Sequence, residues 1–128
     1  MKEIIVIIRQ NKVTKTKEAL TRAGIPGFTC LKVMGRGKKI LPAELFSILP
    51  TDELPMSSMG EYLSESSRLI PKRLFTMMVQ DEDVAKTIDA VMEVNSTGNA
   101  GDGKIFILPI VDAYRVRDGQ LQEGSDSY

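Results

Sequence analysis

The sequence of 128 residues contains no histidine and no tryptophan, and it has a single cysteine, Cys30. Without histidine the chain cannot build a serine triad, a Cys–His pair or an imidazole-ligated metal site. One cysteine permits neither a disulfide framework nor a thiolate metal cage. These absences exclude several common catalytic chemistries and favour a binding protein.

The chain also lacks an excess of charge and a long hydrophobic run. Its 17 basic and 17 acidic residues give a formal net charge of zero, which argues against electrostatic wrapping of nucleic acid. No apolar run approaches the roughly 20 residues that cross a bilayer. The β-branched run at residues 4–8 is too short for a secretory signal. We therefore expect a cytoplasmic protein without nucleic acid and without membrane insertion.

Two β-branched runs, at residues 3–9 and 104–111, predict strands, and the segments at 28–34 and 73–79 between them predict two more. Pro109 has no amide donor, so the last strand should lie at a sheet edge or end in a bulge. One helical stretch lies between the first and second strands, and another lies between the third and fourth. The order β-α-β-β-α-β predicts an α+β, ferredoxin-like split βαβ fold with an antiparallel sheet, in one domain of residues 1–128. Helices would cover only one sheet face, so burial of the other face between copies predicts a homo-oligomer.

Local signals place the two helices. Asn11 is a good N-cap for the first helix, and Gly24 supplies its left-handed stop. The second helix should begin within residues 81–83, where three carboxylates meet the positive end of the helix dipole. The expected inner faces are Val13, Thr16, Leu20 and Ala23 in the first helix and Val84, Ile88, Val91 and Met92 in the second.

A long connection, residues 37–71, joins the two halves. Between residues 40 and 70, five acidic residues stand against one basic residue, Arg68, with apolar residues among them. Such a long segment is usually functional or disordered, and its apolar content speaks against a disordered linker. Two interpretations stay open: ordering on a partner, or an insertion that folds back on its own domain. The residues expected to contact a partner are Leu45, Phe46, Met56, Met59 and Tyr62.

Two glycine-rich elements, residues 35–39 and 98–104, carry lysines at strand ends. The second reads G-x-x-x-x-G-K, as a Walker A loop begins. However, a helix precedes it and a strand follows, so we exclude a P-loop ATPase. Glycines still let backbone amides converge on an anion, and Lys104 adds a point charge.

Arg115 and Arg117 are two residues apart. In an extended segment both guanidiniums would point to one side, and guanidinium forks suit phosphate oxygens. Together with Lys104 and the glycine amides they predict a polyphosphate site. The alternative is that the glycines merely form turns and the arginines pair with Asp112 and Asp118.

These motifs resemble a known family. The segment TGNAGDGKIFI at residues 97–107, followed by RVRDG at 115–119, resembles the carboxy-terminal signature of the PII nitrogen-signalling proteins. The opening is also similar to PII: MKEI, IIR at 7–9, the KEAL stretch at 17–20, and GI and GFT around residues 24–29. The resemblance covers roughly residues 1–38 and 70–120.

The resemblance implies a ferredoxin-like homotrimer that binds ATP or ADP in clefts between subunits and senses 2-oxoglutarate. By this resemblance, residues 37–71 correspond to the T-loop, which acts on target proteins. Residues 96–104 correspond to the B-loop, and residues 115–128 to the C-terminal segment. Lys39 and Lys72 would bind 2-oxoglutarate, and no residue is assigned to a metal. The implied nucleotide-binding residues are Ile7, Thr29, Gly35, Arg36, Gly37, Lys38, Met78, Gly101, Asp102, Gly103 and Lys104, with Arg115 and Arg117 from the neighbouring subunit.

One departure concerns Lys39, which stands where the family usually has a glutamine that helps to coordinate Mg²⁺ and 2-oxoglutarate. A lysine cannot ligate a cation, so the usual Mg²⁺-bridged geometry is not expected. Whether Mg²⁺ is a cofactor at all stays open. The GRGKK sequence at 35–39 and the divergent loop are most similar to the PII branch encoded beside nitrogenase genes. That branch implies the dinitrogenase component as target, and an assembly that includes a related PII chain.

Two other functions stay open from the sequence. One is a small hydrolase of phosphate esters or acyl phosphates on the same fold. The other is a PII protein that regulates an ammonium transporter or glutamine synthetase. No histidine, cysteine or paired carboxylate is placed as an obvious nucleophile or base, which favours binding over turnover.

Overall fold

The computed structural model describes residues 1–37 and 69–123. Its elements are β1 (Lys2–Arg9), α1 (Val13–Arg22), β2 (Thr29–Gly35), β3 (Ile70–Val79), α2 (Val84–Asn95), β4 (Lys104–Pro109), β5 (Tyr114–Arg115) and β6 (Gln120–Leu121). The predictions made for Lys38, Lys39, Leu45, Phe46, Met56, Met59 and Tyr62 fall outside the described residues. Among the helices of the described residues, none is long and apolar enough to span a bilayer.

The main sheet has the strand order β2-β3-β1-β4, and every neighbouring pair is antiparallel. This order confirms the predicted α+β, ferredoxin-like fold. β4 lies at the sheet edge and ends at Pro109, as the missing amide donor predicted. β3 begins three residues earlier than predicted. Pro71 is tolerated there because it has a neighbouring strand on one side only: it is opposite Met34 of β2, whereas the pairing of β3 with β1 starts at Lys72.

The core lies between the sheet and the helices. Alternate residues of β1, Ile4, Val6 and Ile8, are almost fully buried on the helix-covered face. Phe75 of β3 and Leu20 of α1 complete the centre of this core. The period-two alternation of a strand explains why the continuous run at 4–8 divides into a buried half and a half-buried half.

The opposite face of the sheet is left open. Register places Phe106 opposite Ile5, and Leu31 opposite Leu74, on this face. Phe106 is 45% exposed and Leu31 51% exposed. An open apolar face of this kind is the feature from which a homo-oligomer was predicted.

The helix starts differ from the prediction. Asn11 is not the N-cap of α1, because a short 3₁₀ turn at Gln10–Lys12 precedes the helix and Lys12 occupies the cap position without a side-chain capping bond. The expected start of the second helix within 81–83 is also a 3₁₀ turn, and α2 proper begins at Val84.

The inner face of α2 is partly different from the expected stripe. Val91 is buried as predicted, but Met92 is 48% exposed, so its inner placement is wrong. Thr87, Ala90 and Asn95 are buried instead. Asn95 donates to Thr16 Oγ1 of α1 at 3.0 Å and to Val91 O at 2.9 Å, so the inner face of α2 carries a buried polar contact with α1 beside its apolar residues.

Candidate functional site

Four strand ends meet at one end of the sheet and form a cleft. Ile7 of β1 pairs with Lys104 of β4, and Arg9 pairs with Lys72 of β3. The cavity between these strand ends measures about 510 Å³, and we call it the sheet-end cleft. Its lining residues are Ile7, Val33, Met34, Gly35, Arg36, Gly37, Lys72, Leu74, Gly101, Gly103, Lys104 and Phe106.

The structure brings most of the described nucleotide-binding candidates to this cleft. Those that line it are Ile7, Gly35, Arg36, Gly37, Gly101, Gly103 and Lys104, together with the 2-oxoglutarate candidate Lys72. Thr29 and Met78 do not line it. By register, Thr29 pairs with Thr76 and Met78 with Glu3, so both lie on the open sheet face further from the cleft. Sequence reasoning missed the apolar wall formed by Val33, Leu74 and Phe106.

The B-loop reaches the cleft because its glycines adopt backbone conformations that other residues avoid. Gly98, Gly101 and Gly103 have φ values of 81°, 96° and 121°. A Cβ on Gly103 would lie 1.9 Å from the carbonyl oxygen of Ile7. The loop backbone therefore packs directly on β1, and only glycine allows this close approach.

Asp102 holds the B-loop together from within. Its carboxylate accepts bonds from the amides of Thr97 at 2.7 Å and Gly98 at 3.0 Å, and it also accepts a bond from the Thr97 hydroxyl. Arg9 Nη1 lies 2.6 Å from the same carboxylate. The hydrogen bond from the Thr97 side chain, followed by those from the Thr97 amide and Arg9, holds the pKa of Asp102 well below its ordinary value. Asp102 does not line the cleft, and it shapes the site through the loop that it anchors.

Two cations from neighbouring strands clamp the same loop. Arg9 Nη2 donates to Ala100 O at 3.1 Å, and Lys72 Nζ donates to Gly101 O at 3.1 Å. Sequence reasoning missed this role of Arg9. The available signal was its place at the end of the first strand, where the glycine loop returns to the sheet. Arg9 and Lys72 thus set the position of the glycine backbone.

The charge and polarity of the cleft suit an anion joined to a flat apolar group. Arg36, Lys72 and Lys104 line the cleft, and none of the lining residues within the described ranges is acidic. Ile7 and Phe106 supply apolar surface beside these cations. A nucleoside di- or triphosphate has both parts, and about 510 Å³ falls within the range of about 300–1,000 Å³ for small-molecule sites.

A protein-held Mg²⁺ does not fit this lining. Mg²⁺ prefers carboxylate and other oxygen ligands, whereas the charged groups described here are cations. Asp102, the carboxylate of the B-loop, is already engaged by Arg9 and Thr97. Within residues 1–37 and 69–123, no group of three or more His, Cys, Asp or Glu side chains is arranged to hold a metal ion.

Arg115 and Arg117 lie away from the cleft of their own chain. The prediction that they share one side of an extended segment is wrong, because the chain turns between β5 and β6 and Arg117 lies in that turn. Arg115 donates to Asp118 through Nε at 3.1 Å and Nη2 at 2.7 Å. The Arg115 side chain is the first cause that lowers the pKa of Asp118, followed by the amide of Gln120. The predicted alternative pairing with Asp118 is therefore present.

Asp102→Asn is expected to change the acid dependence of stability. The pKa of Asp102 is lower in the folded chain than in the unfolded chain, where it is about 4. The ionised carboxylate therefore stabilises the fold at pH values above about 4, and this stabilisation is lost progressively as the pH falls below about 4. The variant should be less stable than the parent at about pH 7 and should lose less stability on going to about pH 3. Urea unfolding at both pH values measures the difference.

The exposed Asp112 provides the control. Asp112→Asn should keep the parent's acid dependence, because no bond to the B-loop is removed. An Asp102→Asn variant that loses as much stability in acid as the parent would contradict the anchoring role of this carboxylate.

The sequence is similar to a known protein family and to individual proteins over nearly its whole length. The family described as "Nitrogen regulatory protein P-II" matches residues 1–120. "Nitrogen fixation nifHD region GlnB-like protein 2" of Methanobacterium ivanovii is 43% identical over 124 residues, which cover 96% of this chain and 97% of that protein. The protein of the same description from Methanothermococcus thermolithotrophicus is 41% identical over 125 residues, with 96% of both chains covered. "GlnB-like protein 1" of that organism's nifHD region is 36% identical over 122 residues, covering 94% and 97% of the two chains.

Proposed function

This chain belongs to the PII family of nitrogen regulatory proteins, and from that premise we propose that it binds ATP or ADP and 2-oxoglutarate and controls nitrogenase. Members of the family are regulatory proteins. The names of the relatives refer to the nitrogen fixation nifHD region. The dinitrogenase component is therefore the target we propose, with the T-loop as the contacting segment.

One observation carries the nucleotide part of the proposal. The B-loop backbone is held against β1 by Gly103 and lies beside Lys104, with the apolar wall of the sheet-end cleft next to it. Backbone amides in a glycine loop and a lysine suit phosphate groups. The apolar wall suits a base. The described lining has no histidine, cysteine or carboxylate to act as nucleophile or base, so binding is favoured over hydrolysis.

The proposed 2-oxoglutarate site centres on Lys72. Its ammonium lies at the cleft and donates to Gly101 O at 3.1 Å. A carboxylate of the effector would compete for the same ammonium group. Effector binding would then loosen the clamp on the B-loop or replace it, which links the effector to the nucleotide-binding loop.

A homotrimer is the proposed assembly. The open sheet face exposes Leu31, Met78 and Phe106, and association would bury them. A neighbouring subunit could then supply Arg117 to the cleft, which its own chain does not do. Relatives numbered 1 and 2 occur in one organism, and we propose a larger assembly with such a second PII chain.

The test is a titration of ATP, ADP and 2-oxoglutarate, singly and in pairs, with assembly size and dinitrogenase activity as readouts. We expect ATP and 2-oxoglutarate together to relieve an inhibition of dinitrogenase. A variant that lacks residues 45–63 should keep the assembly and ATP binding, because the cleft lies outside the deletion, but should no longer inhibit.

Three results would contradict the proposal in different ways. Inhibition that survives the deletion would show that the T-loop is not the contacting segment. Absence of ATP and ADP binding would reject the nucleotide site. Steady phosphate release from ATP or an acyl phosphate, abolished by changing Lys104, would establish a hydrolase on this fold instead.

A further inference from the structure

Two cations lie side by side on the sheet outside the sheet-end cleft. Lys32 of β2 is paired in register with Arg73 of β3. Cys30 and Phe75, two residues away on the same strands, pack in the core. By strand alternation Lys32 and Arg73 therefore belong to the helix-covered side of the sheet. Directly opposite residues of an antiparallel pair have Cβ atoms about 4.5–5.5 Å apart.

This pairing of like charges has no compensation among the described residues. Other cations have acidic partners: Arg9 contacts Asp102 at 2.6 Å, and Lys86 contacts Asp83 at 2.8 Å. Neither Lys32 nor Arg73 forms an ion pair within residues 1–37 and 69–123. Because like charges directly opposite each other destabilise a sheet, the pair costs stability that no described interaction returns.

Both cations line a cavity of about 220 Å³, together with Gln10 and Lys72. No acidic residue belongs to the described lining of this cavity. The ammonium of Lys72 is bonded to Gly101 O, on the cleft side. Lys32 and Arg73 are thus the charges that this cavity, which we call the β2–β3 pocket, presents to a ligand.

We propose that the β2–β3 pocket is a second anion site, which binds a phosphate group. A phosphate monoester carries a charge of about −1.5 to −2 near neutral pH, which matches the two cations, whereas a single carboxylate would leave one unmatched. Arg73 can donate two parallel bonds, and Lys32 adds a point charge. The amide of Gln10 offers a further donor.

The size of the pocket limits the ligand. Its volume of about 220 Å³ is below the range of about 300–1,000 Å³ typical of whole small-molecule ligands. The pocket therefore fits a phosphate group rather than a complete nucleotide. This group could be free phosphate or the head of a small phosphate ester.

The test uses inorganic phosphate and glycerol 3-phosphate as probes, at constant ionic strength maintained with chloride. Phosphorus NMR measures their binding to the parent and to Lys32→Gln, Arg73→Gln and the control Lys15→Gln, which changes an exposed lysine on α1. The first two variants should weaken phosphate binding about tenfold or more, as expected when a charged hydrogen bond is lost. Lys15→Gln should bind as the parent does. Tighter binding of the ester than of free phosphate would identify an ester as the source.

A Lys104→Ala variant separates the two sites. Phosphate that binds in the β2–β3 pocket should still bind to Lys104→Ala, because Lys104 lines the sheet-end cleft and not this pocket. Loss of phosphate binding in Lys104→Ala, with full binding in Lys32→Gln, would overturn the proposal. Equal binding in all variants would overturn it as well.

Thermal unfolding gives a second test, part of which needs no phosphate binding to be detected. Without phosphate, Lys32→Gln should raise the unfolding midpoint, because it removes the repulsion from Arg73. Added phosphate should raise the midpoint of the parent and leave that of the variant nearly unchanged. A lower midpoint for Lys32→Gln without phosphate would show that Lys32 has an acidic partner within the protein, and the proposal would fail.

Discussion

Gly103→Ala is expected to lower the free energy of unfolding by about 2–6 kcal/mol, from backbone strain and a steric clash together. The residue has φ of 121°, which L side chains rarely adopt, and its new Cβ would lie 1.9 Å from Ile7 O. That oxygen belongs to the central strand β1, which cannot move without disturbing its pairing with β3 and β4. Chemical denaturation of the parent and the variant measures the loss.

Two other glycines separate the two causes. Gly98 has φ of 81°, but a Cβ added there would meet no atom within 4 Å, so Gly98→Ala should show the conformational cost alone, about 1–2 kcal/mol. Gly35 has neither feature, and Gly35→Ala should change stability by less than about 0.5 kcal/mol. If Gly103→Ala were no worse than Gly98→Ala, the close packing of the B-loop on β1 would be wrong.

Lys104→Ala is expected to weaken ATP binding by about 1.5–3 kcal/mol, the range for hydrogen bonds to charged groups, or about 10- to 150-fold in Kd. Lys104 begins β4 opposite Ile7 and lines the sheet-end cleft beside Gly103. Calorimetry with ATP measures the change. Lys86→Ala is the matched control, because this lysine lies on α2 and pairs with Asp83 at 2.8 Å. Unchanged affinity in Lys104→Ala would remove Lys104 from the site.

Mixing two defective variants tests whether the cleft is shared between subunits. In the proposed trimer, Lys104 comes from one chain and Arg117 from its neighbour. A mixed trimer of Lys104→Ala and Arg117→Ala chains then regains one cleft with both cations, so the mixture should contain clefts that bind ATP more tightly than the clefts of either variant alone. No recovery in mixtures shown to contain mixed trimers would mean that the two residues do not meet across an interface.

The local elements were predictable because strong local patterns specify them. The β-branched run at 4–8 and the segment at 104–111 predicted the two strands that pair at the centre and edge of the sheet. Pro109 predicted the edge position because a missing amide donor has the same effect in any fold. The glycine loop was visible as a motif, since glycine is the residue that positive φ requires.

The roles of individual side chains were less predictable. Met92 has the spacing of a buried residue, yet it is 48% exposed, because Thr87, Val91 and Asn95 occupy the inner face of α2 instead. Arg117 lies in a turn and not in an extended segment. The position of Arg9 at the end of the first strand was visible in the sequence, but its partner Asp102 is 93 residues away along the chain, so the contact itself was not.

From the sequence alone came the split βαβ order, the family and the glycine loop with its lysine, because each depends on residue types at short spacing. The tertiary structure decided that Asp102 anchors the B-loop, that Arg9 and Lys72 clamp it, and that Lys32 lies against Arg73. These contacts arise from strand register and from loop return. Both bring together residues that are distant in the chain, so the spacing of residues within one segment does not reveal these contacts.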